Sequence, residues 1–246
     1  MYNNTKALLM LFIGFLSHNS FAQAELHIGY SQPINEWAAT DISKDSGYGK
    51  NGLVVQFGGP VSEGKVVRII ANMALGYNRS DSKRFGKAYA NEIWRNDPAG
   101  TGDSLVSVQL GTYLFAATHL GLEIKIPLGG GGGHQSYSYI PLRMSAGPHM
   151  FLPPNKTTIK TYGADIDGNM ADKKKEYLAD WSYDILGVSY QIGTGLVLNE
   201  KVSLRVEYFG TLVQLGGEQF ANNSGDISLR YPSNFQSLIF SVGILF

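Results

Sequence analysis

The chain contains no cysteine, so no disulfide staples the fold, and a thiolate nucleophile or thiolate metal site is excluded. Beyond its first residues it also lacks any long hydrophobic run. That excludes a helical membrane bundle, in which each spanning helix needs about 20 apolar residues in succession. Charge is scarce and balanced: 16% of residues are Asp, Glu, Lys or Arg, with 20 basic side chains against 20 acidic ones. No basic stripe stands ready to neutralise phosphates, so no nucleic-acid partner is expected. What is abundant is glycine and aromatic residues: 30 Gly, 14 Tyr and 12 Phe.

The clearest pattern lies at the C-terminus. Counting back from Phe246, the residues Ile244, Val242, Phe240 and Leu238 recur at every second position. Gly243, Ser241 and Ser237 fall between them, with Ile239 and Leu245 as exceptions. A strand sends alternate side chains to opposite faces, so this one has an apolar face and a mostly small, polar face. A membrane barrel needs that division, with lipid outside and a packed polar lumen within. At the other end Lys6 precedes an apolar run over 7–16, followed by Ala22-Gln23-Ala24. The run is about half the length of a spanning helix, and the pattern reads as a secretory leader with a small-x-small cleavage site. Removal of residues 1–24, with Ala22 as the alternative cleavage point, leaves 25–246 as one barrel domain.

The same alternation recurs along the chain. Over 120–128, Leu120, Leu122, Ile124, Ile126 and Leu128 alternate with Gly121, Glu123 and Lys125. Over 183–198 and 202–215 the outward sets are Leu186, Val188, Tyr190, Ile192 and Leu196, then Val202, Leu204, Val206, Tyr208 and Leu212. Gly193 falls on an inward position, where a serine is expected to be far milder than an arginine at the outward Val206 or Ile124. Segments 65–78 (Val67, Ile69, Met73, Leu75 and Tyr77 outward) and 104–115 behave alike, and 26–31, 53–58, 137–150 and 157–164 are weaker. With the C-terminal strand these predict an all-β, up-and-down antiparallel transmembrane β-barrel of about ten strands, with eight as the alternative. Short connections are expected at 60–64, 116–119, 152–156 and 199–201, and long ones at 37–50, 78–102, 129–136, 165–181 and 216–234. Short turns mark the periplasmic side and long loops the outer side, which places both termini in the periplasm. Tyr30, Tyr77, Tyr137, Trp181 and Tyr183 then fall near outer ends, and Phe57, Phe115 and Phe246 near inner ends, as aromatic girdles.

With its export site, alternating strands and the Phe240-x-Val242-x-Ile244-x-Phe246 ending, the chain resembles the small outer-membrane β-barrel proteins of Gram-negative bacteria. This broad group includes OmpA- and OmpX-like barrels, and the resemblance covers 25–246. It implies a location in the outer membrane, contact with outer-membrane lipid, and handling by the barrel-assembly machinery through Phe240, Val242, Ile244 and Phe246. No periplasmic domain follows Phe246 in this sequence, so a peptidoglycan-tethering role is not implied.

Inward positions include Gln56, Arg68, Asn72, Gln109, Glu123, Lys125, Arg143, His149, Gln191, Arg205 and Glu207. A barrel of roughly eight to ten strands encloses little more than its own side chains, and mixed signs favour neutralising pairs over a selective field. The expected lumen network is Arg68, Glu123, Lys125, Arg143, Arg205 and Glu207, with Arg205 and Glu207 at its centre. Catalysis finds little support, because His27, His119 and His134 have no Ser–Asp constellation near them in sequence. No cofactor or metal is expected. The five-glycine run 129–133 lacks a following Gly-Lys-Ser/Thr and reads as an outer hairpin, and Lys173-Lys174-Lys175 reads as a solvated loop. Asp165, Asp167, Asn169 and Glu176 echo a calcium loop, but Met170 stands where that loop needs glycine. The function expected is a non-enzymatic barrel with a plugged polar lumen, serving envelope structure or binding a surface ligand or envelope partner. Outer-loop aromatics such as Phe85, Tyr89, Trp94 and Phe220 suit the binding role. The alternatives are a narrow porin or transport channel, and an accessory subunit of an envelope secretion or assembly machine.

Overall fold

A computed structural model describes residues 23–40, 49–62, 64–84, 104–109, 112–128, 138–152, 157–164, 170–178, 185–215, 220–221, 228–229 and 235–246. The expected leader and the loop aromatics Phe85, Tyr89 and Trp94 lie outside the described residues, as do Tyr137, Trp181, Tyr183 and His134. In chain order the elements are β1 (Glu25–Pro33), α1 (Asn35–Ala38), β2 (Gly49–Pro60), β3 (Val67–Ser80), β4 (Ser104–Gln109), β5 (Tyr113–Pro127) and β6 (Tyr139–Leu152). They continue with β7 (Thr157–Ala164), β8 (Met170–Leu178), β9 (Ile185–Leu198), β10 (Val202–Leu215), β11 (Phe220–Ala221), β12 (Ser228–Leu229) and β13 (Gln236–Leu245).

Eight of these close into an antiparallel up-and-down barrel in the order β1-β2-β3-β5-β6-β9-β10-β13. Closure is made by β13 against β1, from Glu25 opposite Leu245 to Pro33 opposite Ser237, so the barrel has no open edge to pair elsewhere. Alternation fixes the faces. On β5, Leu120, Leu122, Ile124 and Ile126 are exposed while His119 and Glu123 are buried. On β10, Val202, Leu204 and Val206 are exposed while Ser203, Arg205 and Glu207 are buried. Phe240, Val242, Ile244 and Phe246 all lie on the exposed face, Phe246 at 62%. An apolar outside around a charged inside is the surface of a barrel that spans a membrane with its strands. β3, β6, β9 and β10 have 14 residues each and β5 has 15, longer than the roughly 9–11 that a tilted strand needs to cross.

The strand count corrects the expectation of ten. Residues 116–119 do not turn: they continue β5, with Ala117 and His119 inward and Leu114 and Leu120 outward. Ala-Ala-Thr-His offers none of the Gly, Pro, Asn or Asp chemistry that reverses a chain in so few residues. The segments 104–109 and 157–164 are strands, but they pair with each other and with β8 in a separate sheet ordered β4-β7-β8. Losing both strands and the false turn keeps 78–102 on the long-loop side. It moves two other connections: β5 to β6, containing the five glycines, leaves the expected loop end for the turn end, and β6 to β9 leaves the expected turn end for the loop end. The turn end thus holds both barrel termini and the connections 61–66, 128–138 and 199–201. At the last of these, Asn199 and Glu200 both take positive φ (55° and 54°) and Lys201 N–H donates to Leu198 O at 3.0 Å, a turn that matches strand twist. Two side chains also differ from expectation: Phe115 lies inside the barrel, not at a girdle, and Met73 is buried.

Candidate functional site

The lumen is filled by three layers, which β5 spells in order from the loop end: Tyr113 and Phe115, then His119, then Glu123. At the turn end the hub is Glu25, 1% exposed, at the start of β1. Its Oε1 accepts from Arg68 Nη2 at 3.0 Å, and its Oε2 from Arg143 Nη1 at 3.0 Å and from Arg205 Nη2. Glu123, fully buried, accepts from Arg68 Nε at 2.8 Å and lies 3.6 Å from Arg143 Nε. Arg68 also donates to the Tyr139 hydroxyl at 3.1 Å, and Lys125 Nζ stands 5.1 Å from the centre of the Tyr139 ring. Five strands (β1, β3, β5, β6 and β10) are tied by this one cluster. Tyr139, Val197 and Leu245 form a small apolar floor at the same end.

Glu207 belongs to the next layer. Its Oε2 accepts from Gln56 Nε2 at 2.9 Å and from Gln191 Nε2 at 2.8 Å. Gln191 Oε1 in turn accepts from Asn72 Nδ2 at 3.0 Å and lies 3.4 Å from His119 Nδ1. The other ring nitrogen of His119 is 2.7 Å from Ser189 Oγ. A Ser–His contact therefore exists, but the orienting group is a glutamine amide, not a carboxylate, and Ser189 is fully buried. Neither feature suits an activated nucleophile that must meet a substrate. With Glu207 included, the three buried guanidinium groups Arg68, Arg143 and Arg205 are matched in number by three buried carboxylates, Glu25, Glu123 and Glu207.

The loop end is apolar. Phe115 and Phe209 pack with ring centroids 5.4 Å apart, and Phe151 stacks on Phe235 at 3.7 Å. Trp37, 0% exposed, comes from α1 in the β1–β2 loop and meets Tyr113, Phe151 and Phe235 edge-on at 6.3, 5.6 and 5.8 Å. Val54, Ala74, Ala117 and Ile239 complete the cluster. At the rim, Asp81 Oδ1 accepts from the Arg84 backbone N–H at 3.1 Å, and Oδ2 lies 3.2 Å from Lys50 Nζ and 3.6 Å from Arg84 Nε. Burial alone would raise the Asp81 carboxyl; the Arg84 amide and Lys50 outweigh it and hold it below the ordinary carboxylate range.

Of the residues expected in the lumen network, Arg68, Glu123, Arg143 and Arg205 come together, joined by Glu25. Arg205 does not pair with Glu207, and Gln109 lies on β4, outside the barrel. Glu25 escaped the sequence reading because it sat at the expected cleavage boundary. Its signal was there: Leu26, Ile28 and Tyr30 alternate with Glu25, His27, Gly29 and Ser31. Trp37 gave no signal, being a lone aromatic in a polar loop. Gly193 is not a place for serine, since a Cβ there would stand 2.5 Å from Glu207 Cγ and 2.8 Å from the Val206 carbonyl. Met170–Leu178, which spans Lys173–Lys175 and Glu176, is a strand and not a solvated loop, and Asp165, Asp167 and Asn169 lie outside the described residues. Among the described residues no three His, Asp or Glu converge as a metal site.

No family model and no curated protein matches the chain. Among solved structures it is similar to Ail, the attachment invasion locus protein of Yersinia pestis, at 10% identity and TM-score 0.42, covering 92% of this chain and 99% of that one. It is also similar to the N-terminal β-barrel domain of Pseudomonas aeruginosa OprF, at 11% identity and TM-score 0.34, covering 92% and 98%. A major outer membrane protein of Thermus thermophilus matches at 11% identity and TM-score 0.39, covering 91% and 99%. The closed barrel and its apolar belt make this chain an eight-stranded β-barrel that spans a membrane with its strands.

Proposed function

We propose that the protein is a non-enzymatic outer-membrane barrel whose lumen is a plug, and that it acts through the loops it carries on its outer rim. The observation that carries this is the filling of the lumen at both ends. A paired Arg–Glu cluster occupies the turn end, and Trp37 with five further aromatic residues occupies the loop end. An ion would have to break guanidinium–carboxylate bonds at one end and enter an apolar aromatic layer at the other, and both steps are costly. A polar channel would instead keep a continuous lining of one field sign or of solvated groups. The leader read in residues 1–24 is part of this proposal, since export requires one. Conductance in planar lipid bilayers is the test: purified wild-type protein should give no stable channel. Steady wild-type conductance would overturn the plug and promote the porin alternative.

A further inference from the structure

The barrel wall starts before Glu25. Ala24 N–H donates to Phe246 O at 2.9 Å, and Phe246 N–H donates to Ala24 O at 2.9 Å. This reciprocal pair carries the β1–β13 ladder one residue beyond the Glu25–Leu245 position. The Gln23 side chain continues it, Nε2 donating to Glu200 O at 3.2 Å in the β9–β10 turn. In the same corner Leu245 N–H donates to Lys201 O at 2.9 Å. Gln23 and Ala24 thus close the seam between β1 and β13 and tie it to the neighbouring turn.

Glu25 is a poor place for a chain to begin. It is 1% exposed, and Arg68, Arg143 and Arg205 already converge on its carboxylate. Hydrolysis after Ala24 would put an ammonium on the Glu25 nitrogen, a fourth cation beside that cluster. It would also remove the three hydrogen bonds that join Gln23 and Ala24 to Glu200 and Phe246. An ammonium there loses water, and the carboxylate beside it is already shared among guanidinium groups. On Gln23 the same ammonium lies further out, where the side-chain bond to Glu200 is open to solvent. Two small-x-small triplets precede β1, Ser20-Phe21-Ala22 and Ala22-Gln23-Ala24, and their spacing does not choose between them. We propose that a leader peptidase cuts the chain after Ala22, so that the mature protein begins at Gln23. Water adds across the Ala22–Gln23 peptide bond, leaving a carboxylate on Ala22 and an ammonium on Gln23. The inference rests on the export reading and narrows its leader to residues 1–22. It does not depend on whether the lumen is closed.

The test expresses the full chain, leader included, in a Gram-negative host and purifies it from the membranes. Tandem mass spectrometry then reads its N-terminal tryptic peptide. That peptide should run from Gln23 to Lys44, whether its glutamine is open or has cyclised onto its own amine with loss of ammonia. A peptide beginning at Glu25 would overturn the proposal and leave the export reading standing, whereas one beginning at Met1 would overturn both. The variant A24L spoils only the second triplet, so it should be cut at the same bond as wild type. Retention of the leader in A24L would overturn the proposal. Deleting Gln23 and Ala24 behind an unchanged 1–22 yields a chain that starts at Glu25. It should give less folded barrel, or a barrel that unfolds at lower urea concentration than wild type. Wild-type yield and midpoint in that deletion would overturn the role given to the closing pair. Conductance is read separately, so a leaky barrel that begins at Gln23 would fail the plug and keep the cleavage site.

Discussion

The two ends of the lumen solve the same filling problem with opposite chemistry. At the turn end, five strands meet through guanidinium and carboxylate groups whose bonds have fixed directions. At the loop end, rings from β5, β6, β10, α1 and the residue before β13 fill space through shape alone. Directional contacts are asymmetric: removing one acceptor strands every donor aimed at it, and the cost is that of a buried unpaired charge. Aromatic packing degrades by volume and tolerates substitutes of similar size. The turn end should therefore be brittle and the loop end forgiving.

The largest expected effect follows from that asymmetry. Glu25→Leu leaves Arg205 without its carboxylate partner and removes an acceptor from Arg68 and Arg143, so a loss of about 3–5 kcal/mol is expected in urea unfolding from detergent micelles. An unchanged midpoint would break the claim that Glu25 is the hub. Glu207→Ala sharpens the comparison within the polar half. Its hydrogen-bond donors are the amides of Gln56 and Gln191, so the loss should be smaller, about 1–3 kcal/mol. If Glu207→Ala costs more than Glu25→Leu, the hub has been assigned to the wrong layer. In the aromatic half, Phe151→Leu should cost less again, below about 1.5 kcal/mol if neighbouring rings close over the gap.

The smallest effect lies at the rim. The Asp81 carboxyl is held below its ordinary value, so its contribution is complete above the unfolded carboxylate pKa and fades as pH falls through the depressed one. Acidification should therefore lower the protection factor of the Arg84 amide, its exchange rate being compared with the intrinsic rate at each pH, while leaving amides of β10 protected. Loss of protection in β10 at the same pH would mean that the rim and the charged cluster open together.

The strand faces were legible in the sequence because period-2 alternation is a direct consequence of the pleat. Val202 to Tyr208 and Phe240 to Phe246 read correctly residue by residue. Strand number was less legible, since alternation marks a strand without saying which sheet it joins. The segment 104–109 alternates as barrel strands do and 157–164 hardly alternates, yet both are strands that pair outside the barrel. Ala116 to His119 read as a turn because its side chains are small, although it lacks turn residues. In the lumen, the charged residues on β3, β5, β6 and β10 were visible one strand at a time. Their partners were not, because a barrel brings β1 beside β13, with Glu25 opposite Leu245, through closure that no local pattern encodes.

The central claim is that water does not reach the middle of the lumen from either end. Because the chain has no cysteine, a single introduced thiol reports its own surroundings without background. Ala117 faces inward between Phe115 and His119 at 2% exposure, whereas Ser62 lies exposed in the 61–66 connection. In folded protein, Ala117→Cys should resist a charged water-soluble maleimide that labels Ser62→Cys readily, and should become reactive only on unfolding in urea. Rapid labelling of folded Ala117→Cys, with the barrel otherwise intact, would contradict the plugged lumen.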